Sequence, residues 1–248
     1  MSGVIGVTKE ELIALDPRSV NRQLSKEEII YIATTLGAYW QYDYEAVKQG
    51  RPGMHAILKS ELHSDGFFIS RILLEFPNIR CIIANQLVLK FNQLEIPKPD
   101  WIAGIPDGAT KLGKDVAEIM GVKKAEMKKE DDRIVLVSSL GAGDSLLLVE
   151  DFCTRGTGFT EAISAILSKQ PEVKILPYEL VILNRGGLKE IVIEGVDSFK
   201  IVPAAEHRVN DWKPEECPLC KMGSTPIKPT TSEKSILPPR RFAARRLN

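Results

Sequence analysis

No apolar run in the chain approaches the roughly 20 residues that a membrane helix needs. The longest stretches resemble Leu146 to Val149 and Cys81 to Ala84. The opening MSGVIGVTKEEL turns acidic within its first dozen residues, so neither a signal peptide nor a membrane partner is expected. Cysteine is scarce: Cys81, Cys153, Cys217 and Cys220 are too few for a disulfide framework in 248 residues, which points to a reducing, cytoplasmic setting. Net charge is absent as well. Lys and Arg number 33 and Asp and Glu 33, which argues against a general nucleic-acid binder, and 44% hydrophobic residues exclude a disordered chain. Two nucleotide signatures are also missing. Nothing matches G-x-x-x-x-G-K-[ST], and GAGDSL lacks the third glycine of a dinucleotide fingerprint. What remains is a soluble globular chain of one large domain, or one domain with an added module. It shows no internal repeat.

The first forty residues read as helical, with Thr8/Glu11 and Ser25/Glu28 spaced as capping boxes. Phe67, Phe68 and Ile69 suit a short strand, and Pro77 opens a helix that stops before Pro97 and Pro99. From Trp101 short apolar strands alternate with amphipathic helices, the pattern of a parallel sheet covered by helices. WIAGI reads as a strand, the helix after it ends at Gly121, and RIVLVSS and SLLLVE read as a hairpin around LGAGD. YELVILN and VIEGVDSFKIVPA read as further β structure. The fold expected is α/β, a parallel sheet flanked by helices. Its boundaries are an N-terminal helical extension at 1–54, a central domain at 55–210, and a small C-terminal arm at 211–248. That arm is Pro-rich and basic, with seven cations from Lys221 onward against Glu233. The tail PPRRFAARR reads as a solvated end, with no nucleic acid as partner.

Chemistry concentrates in LLLVEDFCTRGTGFTEAI, residues 146–163. A Gly/Thr loop at a helix N-terminus presents N–H groups and hydroxyls to an anion, and the helix dipole adds positive potential. Glu150 and Asp151 precede it at the carboxyl end of a strand, where ligands bind in open α/β sheets. A phosphate site beside acids that accept from a vicinal diol describes a ribose 5-phosphate.

EDFCTRGTG resembles the phosphoribosyl-pyrophosphate motif of the type I phosphoribosyltransferases, an acidic pair followed by T-x-G-[GT]. LKSELHSDGFF and VILNRGG are similar to two segments of the orotate phosphoribosyltransferases, with Asn184 where an acid is usual. The resemblance continues into CPLCKMGSTPIKP, similar to a C-terminal element of some bacterial and archaeal relatives. The resemblance spans about residues 55–205 and implies the type I core. It implies that Glu150 and Asp151 hold the ribose hydroxyls and that Thr154, Arg155, Gly156, Thr157 and Gly158 cradle the 5-phosphate. Asp107 and Gly108 belong to the segment 104–110 that resembles the pyrophosphate loop. Lys59, Arg185 and Thr154 would meet orotate, with Phe67 and Phe68 beside its ring. Adjacent residues of an extended segment face opposite ways, so at least one of the two phenylalanines is expected in the core. The resemblance further implies Mg²⁺ carried on substrate oxygens, orotate and phosphoribosyl pyrophosphate as substrates, and a homodimer.

One element departs from the pattern. The family's mobile basic loop reads R-K-E-x-K-x-H, whereas MKKEDDRIVLV keeps Lys128, Lys129 and Glu130 but has Asp132 and Ile134 in place of the second Lys and the His. Developing charge on pyrophosphate needs such donors. Lys128 and Lys129, with Arg133 and Lys111, substitute for them beside Asp151 as catalytic residues, or the protein takes another nucleobase, or it binds phosphoribosyl pyrophosphate without turning it over. No histidine has a partner visible in the sequence, and none is assigned to catalysis. Cys217 and Cys220 have the spacing of a zinc knuckle, but tetrahedral zinc needs four ligands. His207 is a candidate third; a half-site completed across a dimer and two free thiols are the alternatives. Cys153 reads as a packing residue.

Overall fold

The computed structural model of the protein describes residues 3–58 and 60–229; Lys59 and the tail PPRRFAARR lie outside them. In chain order the elements are α1 (Lys9–Ala14), α2 (Lys26–Thr35), β1 (Tyr39–Gln41), α3 (Tyr44–Lys48), β2 (Met54–Ile57), β3 (His63–Ser64), β4 (Gly66–Phe68), α4 (Ser70–Leu73) and α5 (Pro77–Asn92). There follow β5 (Trp101–Gly104), α6 (Thr110–Met120), β6 (Lys123–Ala125), β7 (Met127–Glu130), β8 (Arg133–Leu136), β9 (Ser145–Cys153), α7 (Thr157–Lys169) and β10 (Lys174–Asn184). The last are β11 (Glu190–Ile193), β12 (Asp197–Glu206), β13 (Asp211–Trp212), α8 (Pro218–Lys221) and β14 (Thr225–Ile227). No helix among the described residues is long and apolar enough to cross a membrane.

The chain divides into two compact units, residues 1–32 with 70–208, and residues 33–69 with 209–248. The expected breaks lie at 54/55 and 210/211, the latter two residues from the division at 208/209. The division at 32/33 falls inside α2, and the second unit is built from segments far apart in sequence, which composition along the chain does not reveal.

Unit 1 holds a six-stranded sheet in the order β11-β12-β10-β9-β5-β6, parallel except for β11. Leu146 and Leu148 of β9 join the α7 residues Phe159, Ile163 and Ile166 in one buried cluster. Leu147 and Val149 alternate to the other face and are equally buried. A strand covered on both faces reads as an unbroken apolar run, as SLLLV does. Helix α6 ends where Gly121 enters the left-handed region, φ 68°, a conformation that costs glycine little. The hairpin expected between RIVLVSS and SLLLVE is not formed. β8 pairs antiparallel with β7 instead, and β9 pairs in parallel with β5 and β10. The turn is made by Asp131 and Asp132, φ 49° and 60°, a two-residue reversal whose twist suits paired strands and which aspartate tolerates.

Both predicted capping boxes form. Thr8 N–H donates to Glu11 Oε2 at 2.8 Å and Ser25 N–H to Glu28 Oε2 at 2.9 Å. Glu28 also receives Arg22 Nη1 at 2.7 Å, and its side chain is only 8% exposed. The Arg22 hydrogen bonds hold its carboxyl down to about 2, against the desolvation that opposes them. A depressed acid stabilises the fold above its unfolded pKa, and the contribution is lost as pH falls through the folded value. Glu28→Gln is therefore expected to lower the unfolding free energy at pH 7 by about 2 kcal/mol, water around half-exposed Arg22 screening the rest. Near pH 2 the variant and parent should converge in urea titrations, and a constant difference across this window would refute the assignment.

In unit 2, β13-β3-β2-β14 form a small sheet and β1 pairs with β4. One buried cluster there joins Tyr42, Cys217 and Leu219, packed by Trp40, Val47, Trp212 and Cys220.

Candidate active site

β5 and β9 are neighbours whose connections diverge, β5 leading through α6 to β6 on one side and β9 through α7 to β10 on the other. At such a switch point the loops part beyond the carboxyl ends of the strands and leave a crevice for a ligand. Residues 105–109 form one wall. Ile105 N–H donates to Val149 O at 2.8 Å, Ala109 N–H closes back on Ile105 O at 3.0 Å, and the Pro106–Asp107 peptide is cis. Gly108 has no room for a side chain: a Cβ there would stand 2.0 Å from Asp151 Oδ2. The Asp151 carboxylate thus lies directly against this loop. Its Oδ1 accepts Phe152 N–H at 2.8 Å.

The opposite wall is the turn into α7. Gly156 adopts φ 71°, and a Cβ on it would meet Ile191 Cδ1 at 2.4 Å. No side chain caps the helix start, so the first-turn N–H groups point outward with the helix dipole behind them. Arg155 and Thr157 are exposed beside them, and Thr154 and Gly158 half-buried. The third wall follows β10. Arg185 N–H donates to Cys153 O at 2.7 Å, and a Cβ on Gly186 would stand 1.8 Å from Thr154 O. Asn184 closes this turn, donating to Leu188 O at 2.7 Å and accepting Gly187 N–H at 2.9 Å. A carboxylate at 184 accepts but cannot donate, so the amide fits both bonds.

Glu150 is not a solvated acid. Its Oε1 lies 2.6 Å from where a Cβ on Gly158 would sit, while Oε2 is buried near the carboxyl of Glu179 and the thiol of Cys153. Glu179 is fully buried on β10, and no backbone N–H reaches either of its oxygens. Burial first, then the hydrogen bond that protonated Glu150 donates to Glu179 and the charge of Glu179, push the Glu150 carboxyl well above its usual range. Burial raises Glu179 as well. Two carboxyls so placed cannot both ionise, and the pair keeps a proton at neutral pH. Sequence reasoning missed Glu179; the one signal for it is a lone acid inside the apolar run of a central strand.

Lys128 and Lys129 are exposed on β7. Where a mobile basic loop would stand, the structure has a folded hairpin. Met127, Ile134 and Leu136 anchor it in the cluster with α7, and Glu161 accepts Ile134 N–H at 2.8 Å. Lys128 is paired with Glu130 at 2.6 Å. A cavity of about 700 Å³ in the same unit, walled in part by Leu24, Lys90, Leu94 and Val202, contains none of these groups.

In unit 2 both Phe67 and Phe68 are buried. Phe67 stacks on Trp40 at 5.7 Å and Phe68 on Tyr39 at 4.1 Å. The imidazoles beside Cys217 and Cys220 are those of His55 and His63, in place of the His207 expected from sequence.

No protein-family model matches the chain. It is 28% identical over 208 residues to an orotate phosphoribosyltransferase of Caldanaerobacter subterraneus, covering 83% of this chain and 97% of the relative. It is 26% identical over 177 residues to one of Acidithiobacillus ferrooxidans, covering 71% and 87%. Among solved structures, orotate phosphoribosyltransferase from Aeropyrum pernix superposes with a TM-score of 0.55 at 16% identity, over 71% of this chain and 91% of that one. The UMP synthase of Leishmania donovani gives 0.53 at 19% identity, over 72% and 36%.

Proposed function

We propose that this chain, which has the fold of the type I phosphoribosyltransferases and is similar to orotate phosphoribosyltransferases over most of its length, transfers the phosphoribosyl group to orotate in pyrimidine nucleotide synthesis. Orotate N1 loses its proton to solvent and forms a bond to C1 of phosphoribosyl pyrophosphate as the C1–O bond breaks, the electron pair of that bond leaving with pyrophosphate. The observation that carries the reading is the crevice at β5 and β9, where the Asp151 carboxylate lies against Gly108 and opposite the uncapped start of α7. The α7 N–H groups and Thr154 to Gly158 take the 5-phosphate. Asp151 accepts from the ribose hydroxyls, Glu150 Oε1 assists above Gly158, and residues 105–109, with Asp107 and Gly108, hold the pyrophosphate. Arg185, its backbone tied to Cys153, meets the carboxylate of orotate with a planar fork. Lys128 and Lys129 neutralise the departing charge, and alignment of the two reactants supplies much of the rate.

Magnesium enters this reading on the substrate. The buried cluster Glu150, Cys153 and Glu179 holds a proton and a thiol and does not suit a hard cation, whereas Asp151 Oδ2 beside the pyrophosphate loop offers an oxygen to an ion carried by phosphates. That ion would neutralise pyrophosphate charge. A homodimer in the cytoplasm completes the proposal.

Orotate loss followed by ultraviolet absorbance, with phosphoribosyl pyrophosphate and Mg²⁺ each omitted in turn, tests it. Turnover that needs all three supports the enzyme. The acidic tip of the β7–β8 hairpin favours a second reading, a sensor that binds the donor without turnover; donor binding by calorimetry without orotate loss would select it. In the enzyme, Lys129→Ala is expected to lower kcat by about 10²-fold with little change in orotate KM. An unchanged kcat would remove Lys129 from the chemistry. Loss of orotate affinity in Lys59→Ala or Arg185→Ala reads out the base contacts.

A further inference from the structure

Unit 2 contains a cluster that phosphoribosyl transfer does not use. His55 Nε2 and His63 Nδ1 lie 3.0 Å apart. Cys217 Sγ is 3.6 Å and Cys220 Sγ 3.5 Å from His55 Nε2, and Cys220 Sγ is 3.3 Å from His63 Nδ1. All four ligand atoms fall within 4.8 Å of one another, and three of the four residues are buried. From these contacts we infer that His55, His63, Cys217 and Cys220 bind a structural zinc ion.

The distances fit a tetrahedron. Bonds of 2.0–2.1 Å to nitrogen and 2.3 Å to sulfur give edges of about 3.3 Å for N···N and about 3.6 Å for N···S. A mixed N₂S₂ set of borderline-soft donors at those edges suits Zn²⁺ and excludes magnesium or calcium, which take oxygen. The second shell agrees. His55 Nδ1 is 2.9 Å from Ser224 Oγ, and that hydroxyl donates onward to Gly53 O at 3.3 Å. With Nδ1 carrying the proton toward Ser224, Nε2 presents its lone pair to the cluster.

The position of the ion would also staple distant segments of unit 2. The four residues join segments as much as 165 positions apart, His55 to Cys220. β14 pairs with β2 and β13 with β3, but each contact is two or three residues long. Small units of this kind use a metal or disulfide as a staple. A zinc ion would tie α8 to β2 and β3 at one point.

The test uses the full chain purified under reducing conditions. Metal analysis after desalting should find one zinc per chain, and X-ray absorption at the zinc edge should show two sulfur and two nitrogen neighbours. Exchange into Co²⁺ should give the intense visible bands of a tetrahedral thiolate site. Cys220→Ser and His63→Ala should each lose most of the zinc, and Cys81→Ser should keep it. Because the ligand variants can also misfold, the absorption spectrum of the unmodified protein decides independently. Zinc well below one per chain after reconstitution, a Cys217–Cys220 disulfide in the isolated protein, an octahedral cobalt spectrum, or zinc retained by His63→Ala would each overturn the inference. None depends on transfer activity, so the site stands or falls apart from the proposed reaction.

Discussion

Asp151→Asn is expected to reduce kcat/KM for phosphoribosyl pyrophosphate by about 10²- to 10³-fold, while Glu150→Gln reduces it by less than about 10-fold. The two acids are adjacent in sequence but differ in electrostatic state. Asp151 sits against Gly108 with Oδ1 on Phe152 N–H, and its charge is the feature a pair of ribose hydroxyls and a substrate-borne cation would use. Glu150 is drawn into the protein beside Glu179, where burial favours its neutral form. A glutamine reproduces the size and neutrality of a protonated glutamate and can hydrogen-bond an ionised Glu179. Steady-state kinetics on both variants, with donor and orotate varied separately, provide the check. Equal losses would show that Glu150 acts as a charge, and the shared proton would be the wrong description of the pair.

Gly113→Ala reverses an ordinary expectation. Inside a helix this exchange stabilises by about 1 kcal/mol through propensity alone. In α6, however, a Cβ at 113 would stand 2.3 Å from Gly104 N and 2.5 Å from Gly104 Cα, and that atom belongs to the backbone of central strand β5. Forcing the helix away from the sheet costs about 1–3 kcal/mol, toward the upper end because no flexible side chain can yield. The net expectation is a loss of about 1–2 kcal/mol in urea unfolding, with a rise in donor KM, since β5 carries the 105–109 loop. Lys114→Ala, one position along on the exposed face, should leave both nearly unchanged. A stabilised Gly113→Ala would mean that helix and sheet part without penalty.

Local signals in the chain were easily read where they act over one turn or one strand. The capping boxes at Thr8 and Ser25, Pro77 at the start of α5, Gly121 at the end of α6 and the Gly/Thr turn before α7 are each decided by a few neighbouring residues. The strand β9 and the Gly/Thr turn that follows it were legible for the same reason. The β7–β8 hairpin was not: both LGAGD and the Asp131–Asp132 pair can reverse a chain, and the choice falls to the strand that must be buried on both faces. SLLLV needs parallel neighbours on each side, which removes it from any hairpin.

Composition and order along the chain therefore specify a helix-covered parallel sheet, the acidic pair and the loop that follows it. Tertiary structure alone gives Glu150 its buried partner, because Glu179 arrives from the next strand through the parallel register of β9 and β10. It alone converts a half-complete C-P-L-C into four converging ligands, because His55 and His63 reach it through β2 and β3 while the cysteines come from beyond β13. Distances along a chain say nothing of such meetings. They follow from which strands must share hydrogen bonds once the apolar faces are buried.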